Sequence, residues 1–388
     1  MPKVSLLHES RLQSDHYAST IMWLLRGLAG LAVAAGHLRA RVYPGFGSVA
    51  EPTPAFQVFA FLTGFAHLAI VVFFVLSGWL AGGGMLDRYG HPGALREYAI
   101  ERLTRLWIVL IPAFAAMLLF AAYAGWVDAS SADFGGSGEY SAGAFIGNLL
   151  GLQTLAVPRF GGDYPLWTLA NGTWYYLLFP LLLTVFRARA VPARVGAVLA
   201  VLAIAQVLNE VMLLYFLVWL LGAAFSRVPM DAGPLARRLF LMLFLALAVY
   251  YRMAGGNNHM STGTIVQDLA FGTSLALFLC SMRYRPARPS PMRERAVAAG
   301  RFFAGFSFTL YVIHVPLIDA MLYFFGLHRL SPAQPLHYLV FAAMLAGIVA
   351  LAWLFHLPFE ANTYRLREWV KGRLAADGAS PVRRTEPL

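Results

Sequence analysis

The sequence predicts an all-α fold, a polytopic bundle of about ten membrane-spanning helices with both chain ends in the cytoplasm. Three observations carry that expectation. Of 388 residues, 59% are hydrophobic and only 13% charged, against about 25% charged in a soluble domain, and the mean hydropathy is +0.63. Ten separate stretches approach the ~20 apolar residues that a span requires. The arginines between them collect in alternate loops, as cytoplasmic segments do under the positive-inside rule.

Residues 1–20, MPKVSLLHESRLQSDHYAST, are polar and lack the apolar core and small-residue cleavage site of a signal peptide, so they read as an N-terminal tail. The expected spans centre on 21–38, 57–81, 107–126, 166–186, 192–208, 210–226, 236–252, 264–282, 302–325 and 337–357. The run AFIGNLLGLQTLAV at 144–157 is too short to cross and is expected to lie in the interface or re-enter the bundle. The segments 84–106, 187–195, 227–238, 283–301 and 360–388 are Arg-rich and form every second loop. By contrast 127–142 holds Asp128, Asp133 and Glu139 with no Lys or Arg and falls outside. The Pro- and Arg-rich 283–301 reads as a stiff linker, a seam between an eight-helix body and a final pair. Residues 21–358 thus make one membrane unit, and 359–388 a cytoplasmic C-terminal tail whose end, from 375 on, has a disordered composition.

Some function classes are excluded at this level. A single cysteine, Cys280, leaves no internal disulfide and makes a Cys-rich metal site implausible. The net charge of +11 is accounted for by the cytoplasmic loops, and no basic patch interleaved with aromatics points to nucleic acid. Membrane lipids are the expected surroundings.

The stretch LRGLAGLAVAAGH, Leu25 to His37, organises the chain. Eleven helical steps bring His37 to within roughly 20° of the face of Arg26, ~16 Å further along. Ionisable groups in a span are read by default as functional and as facing a bundle interior or a watery cavity. On the expected topology Arg26 lies toward the cytoplasmic end and His37 toward the outer end. A histidine suits removal of a hydroxyl proton near neutral pH, or it caps and hydrogen-bonds at the membrane rim. Arg26 either binds phosphate bidentately or snorkels to headgroups. Arg102 and Arg105, three apart on one helix face, carry the same two readings.

Four segments in order carry a family resemblance. They are Arg26 and His37; IVVFFVLSGWL with Ser77, Gly78 and Trp79, followed by REYAIERLTRLWIVLIP with Arg96, Arg102, Arg105 and Pro112; PLWTLANGTWYYLLFP at 165–180; and FSFTLYVIHVPLI with Ser307, Tyr311, His314 and Pro316. The closing FEANTYRLREW at 359–369 adds to them. Together they resemble the acyltransferase-3 family of multi-pass membrane O-acyltransferases. The resemblance implies His37 as catalytic base and a cytoplasmic acyl-CoA, most often acetyl-CoA, as co-substrate with no bound cofactor or metal. It further implies a hydroxyl acceptor, a glycan or glycolipid, near the outer face of a bacterial inner membrane.

Arg26, Ser77, Arg102 and Arg105 are then the expected donor-binding residues, with Trp167, Tyr311 and His314 in support. His314 is expected to orient the donor or brace the core. Ser77 alternatively satisfies a carbonyl four residues back, and Gly78, Gly82, Gly83 and Gly84 read as packing. His67 reads as a satisfied structural histidine, and Asp268 and Glu210 as partners of Arg252 or groups on a polar lumen. One departure stands out. Where the family pattern usually has a Glu five residues after the Trp, this chain has Gly172, with Asp163 or Glu210 as substitutes nearby. Two other readings remain at this point: a carrier or flippase for a lipid-linked sugar, and a catalytically weak relative acting as a partner subunit.

Overall fold

In hydrocarbon every backbone N–H and C=O must find a partner within the protein, and a helix does this within one segment. The apolar stretches accordingly fold as helices. The structure is a computed structural model that describes residues 3–4, 16–127, 138–254, 260–285, 290–326 and 329–378. In order they form β1 (Lys3–Val4), α1 (Tyr17–Val42), α2 (Pro54–Leu62), α3 (Ala66–Ser77), α4 (Gly83–Arg88), α5 (Ala94–Tyr123), α6 (Ala142–Leu149) and α7 (Trp167–Arg187). There follow α8 (Val191–Val207), α9 (Glu210–Phe225), β2 (Met230–Asp231), α10 (Pro234–Met253), α11 (Ile265–Ser281), α12 (Pro291–Gly305), α13 (Ser307–Phe325), α14 (Pro335–His356) and α15 (Thr363–Gly378).

All ten expected spans fall on helices, but among the described residues seven are long and apolar enough to cross a membrane. The three shorter apolar helices are α8, α9 and α11. Two boundaries differ from expectation. The stretch 302–325 is broken at Phe306, where α12 ends and α13 begins. The second half of the Arg-rich 283–301 is therefore not a free linker but α12, lying along α1. A Cβ at Gly27 would sit 2.5 Å from Cβ of Phe303, so the helices approach as closely as small residues permit. Tyr17–Thr20, expected in the tail, already belong to α1. Lys3–Val4 pair antiparallel with Met230–Asp231. Of the three acidic residues in 127–142 only Glu139 is described, and of the expected disordered end 379–388 lies outside the described residues, whereas 375–378 continue α15. The run 144–157 forms the short α6 and then turns.

Caps fix several ends. Thr53 accepts from the Phe56 amide at 3.2 Å ahead of Pro54, and Asn209 accepts from the Met212 amide at 2.9 Å to start α9. Between α3 and α4 the chain makes a π-turn, Gly78–Gly82. There Gly78 lies against the Trp219 carbonyl and Gly222 against the Val75 carbonyl, so closely that neither has room for a Cβ. Two cores result. One gathers around α3, α7, α9 and α11, the other around α5, α13, α14 and the second half of α1. Residues of α1 and α13 contribute to both, so the seam between the cores runs along these two helices.

Candidate active site

Arg26 and His37 both lie on that seam, as the helical spacing predicts. The Arg26 Nη2 donates to Ser307 Oγ at 3.4 Å, and Ser307 donates to the Ala304 carbonyl at 3.0 Å. Around them is a narrow cavity of about 290 Å³. Arg102 and Arg105, one turn apart on α5, reach into it, joined by Arg367 from α15 and by Ser77 and Tyr176. The Ser77 Oγ stands 3.1 Å from the Tyr176 hydroxyl and accepts from Trp219 Nε1 at 3.1 Å. The carboxylates here are committed elsewhere. Glu101 takes both ends of Arg88 at 2.8 Å, leaving 3.7 Å to Arg102. Glu360 accepts from the amide and hydroxyl of Thr309 at 2.9 and 2.7 Å and stands 3.7 Å from Arg105. Among the described residues Arg26 makes no ion pair within 4.0 Å. Guanidinium groups in excess of carboxylates, set beside an apolar wall, suit an anionic ligand that also carries an apolar part.

His37 faces a second, wide cavity of about 1660 Å³. The two cavities abut: Ile70 lines both, while α7 turns Trp167 and Asn171 to the wide one and Thr168 and Gly172 to the narrow one. Behind His37 stands fully buried His314. The His314 Nδ1 lies 2.8 Å from the Tyr311 carbonyl and 3.1 Å from that of Leu310. Carbonyls only accept, so Nδ1 carries the hydrogen. With both rings neutral, His314 Nε2 is then an acceptor, and the His37 Nδ1 at 2.7 Å donates to it. Among the described residues His37 Nε2 has no hydrogen-bond partner, which leaves its lone pair free. The ring of Tyr164 packs edge-on against His37, centroids 4.7 Å apart, which limits its rotation.

The other expected residues fall as follows. Tyr311 lines the narrow cavity, and its hydroxyl stands 2.5 Å from Thr168 Oγ1 and donates to the Pro165 carbonyl at 2.9 Å, fixing the loop that carries Tyr164. His314 lines neither cavity; its hydrogen bond is to His37. His67 is satisfied, as expected: its Nε2 donates to Asp268 at 2.8 and 2.9 Å, and Tyr215 donates to the same carboxylate. Asp268 is therefore not the partner of Arg252, which instead donates to the carbonyls of Ala60 and Phe61 at 2.7 and 3.2 Å.

A Cβ on Gly172 would meet nothing within 4 Å, so the space a longer side chain would take there is open. Neither substitute fills it. Glu210 lines the wide cavity. Asp163 lines neither and is 1% exposed, with no hydrogen-bond partner for either oxygen among the described residues. Burial, helped by Asp319, pushes its carboxyl well above the ordinary carboxylate range. Tyr164, Arg252 and Arg367 were not singled out from sequence for these positions, since a loop aromatic and lone arginines at helix ends carry no periodic signal.

A bundle of apolar helices, seven of them long enough to cross a membrane among the described residues, with a cationic pocket backed onto a histidine-bearing cavity, is the architecture of an integral membrane protein. Residues 22–357 match the family model described as an acyltransferase domain. The chain belongs to this acyltransferase-3 family, and membership places it among membrane acyltransferases. Comparison with curated proteins gave no match, nor did comparison with solved structures.

Proposed function

We propose that the protein is an O-acyltransferase that moves an acyl group, acetyl in the simplest case, from acyl-CoA in the narrow cavity to a hydroxyl acceptor in the wide one. The donor enters from the cytoplasm, a side that the Arg-rich loops near the Arg26 end support. The acceptor, a carbohydrate or related molecule, approaches from the opposite face of a bacterial inner membrane. The single observation that carries this reading is the hydrogen-bond chain from the Leu310 and Tyr311 carbonyls through His314 to His37, which leaves the His37 Nε2 lone pair on the cavity side.

Arg26, Arg102 and Arg105 hold the phosphates, and Ser77 flanks the tail, which points the thioester past Ile70 toward His37. His37 Nε2 takes the proton of the acceptor hydroxyl. The hydroxyl oxygen attacks the thioester carbonyl, whose oxygen gains the negative charge. Trp167 and Asn171, which line the same cavity, carry side-chain N–H groups that can donate to it. The C–S bond then breaks, and the thiolate recovers the proton from His37, giving the ester and free CoA. Open space at Gly172 leaves this cycle to His37 without a carboxylate at that position.

The test is purified His37→Ala with acetyl-CoA and a glycan acceptor, following thiol release and ester formation. A loss of ~10²–10⁴-fold is expected from removal of a general base. Activity equal to wild type would remove His37 from the mechanism, and acceptor movement across vesicles without ester formation would establish a carrier instead.

A further inference from the structure

The wide cavity is lined by four arginines, Arg39, Arg41, Arg252 and Arg329, against one carboxylate, Glu210. Arg41 is neutralised by Asp319. Asp268, whose partner His67 lines this cavity, is taken by His67 and Tyr215. Arg39 and Arg252 lie within electrostatic reach of one another, and among the described residues neither makes an ion pair within 4.0 Å. The buried Nε of Arg39 has no hydrogen-bond partner among the described residues.

Arg252 is fixed in place. Its Nε and Nη2 are tied to the last carbonyls of α2, and its guanidinium lies flat across Gly64, where a Cβ would have no room. Two like charges that line one cavity and feel each other's field repel, and a protein that needed them only for packing would supply a counter-ion. Here the counter-ion has to arrive with the ligand.

Building on the acyltransferase reading, we propose that the acceptor carries an anionic group, a phosphate or carboxylate, which binds between Arg39 and Arg252 and presents its hydroxyl to His37. A guanidinium pair matches the paired oxygens of either anion. Neutral sugars lack that anchor and enter the cavity without a fixed orientation.

The experiment uses the full chain in detergent with saturating CoA throughout, so that the guanidiniums of the narrow cavity are occupied. Thermal stability is titrated with glucose 6-phosphate, glucuronate and glucose for the wild type, Arg39→Gln and Arg39→Gln/Arg252→Gln. The anionic sugars should stabilise the wild type and glucose should not, and both variants should bind the anions at least ~10-fold more weakly, as expected for loss of a charge-assisted pair. Arg39→Gln breaks no hydrogen bond among the described residues, so it tests the site even if the double variant fails to fold. Glucose binding as well as the anions, or anions binding the variants as tightly as the wild type, overturns the proposal.

A second arm places the protein in nanodiscs with and without a polyprenyl phosphate. Protection there but not by soluble sugar phosphates assigns the anion to a lipid carrier, and the reverse assigns it to a soluble acceptor. If the anions bind as expected but no ester forms with any of these acceptors, the acyl-transfer reading fails while the anion site stands.

Discussion

Replacing His314 tests the geometry most directly, because His314 lines neither cavity and touches neither proposed substrate. In His314→Ala the His37 Nδ1–H loses its only hydrogen-bond acceptor among the described residues, a contact of 2.7 Å. Leaving a buried donor unsatisfied costs about 1–3 kcal/mol. The ring can recover this by moving the proton to Nε2 or by swinging out, and either change removes the free lone pair from the cavity side. At ~1.4 kcal/mol per factor of ten, the productive form becomes about 5- to 150-fold rarer. The expected outcome is a fall of that size in kcat, with the KM for acetyl-CoA unchanged because the guanidinium cluster is untouched. His314→Gln places a carbonyl oxygen near the lost Nε2 and should restore part of the rate. The assay is thiol release by purified protein, with circular dichroism to confirm folding. Folded His314→Ala with kcat within twofold of wild type, or with its loss confined to the KM for acetyl-CoA, would refute the tautomer reasoning.

Arg26→Ala should raise the KM for acetyl-CoA about 10- to 150-fold through loss of a charge-assisted contact worth about 1.5–3 kcal/mol, with kcat changed little; initial-rate kinetics against donor concentration check this. Asp163 gives a pH-dependent outcome. The unfolded chain releases this proton near ~3.9, while the folded carboxyl holds it to a higher pH. Stability is therefore fullest below the unfolded value and declines as pH rises from there through the folded one, by ~1.4 kcal/mol per unit of separation. Asp163→Asn removes the decline, so its Tm in detergent should exceed that of the wild type at pH 8 by more than at pH 4.5. Gly222→Ala drives a methyl into the Val75 carbonyl, an overpacking expected to cost about 1–3 kcal/mol, visible as a lower Tm and loss of the α3–α9 contact.

The parts readable from sequence are those set by spacing along one helix. Arg26 and His37 share a face because eleven residues are close to three turns, and Arg102 and Arg105 meet because three residues are close to one. Composition located every apolar helix for the same reason. It did not reveal the break at Phe306, since the residues on both sides are equally apolar, nor that α12 docks on α1, which depends on the close approach at Gly27. His37 and His314 are 277 residues apart, and no local pattern pairs them. The Arg252 guanidinium over Gly64 is likewise a tertiary fact: as a lone arginine ending α10 it resembles an interfacial anchor, and its two carbonyl partners, with no carboxylate within 4.0 Å among the described residues, mark it out.

An imidazole in the orienting position, where a carboxylate would do the same work, follows from the setting. An ionised Asp or Glu in a span costs about 2.5–3.5 kcal/mol on insertion scales, whereas His314 holds its partner's tautomer while neutral. Its own Nδ1–H is tied to two carbonyls, so the pair accepts one further proton, and the open position for it is His37 Nε2. On the proposed reading a positive charge then exists at His37 only while an alkoxide or thiolate lies beside it. The arginine clusters obey the same logic in reverse: their charge stands permanently, with too few carboxylates to balance it, until an anion arrives. A carboxylate introduced beside either cluster should therefore compete with substrate for the guanidiniums instead of assisting the reaction. On this account the open space at Gly172, which borders the cavity of Arg26, Arg102 and Arg105, keeps an internal anion away from the donor's phosphates.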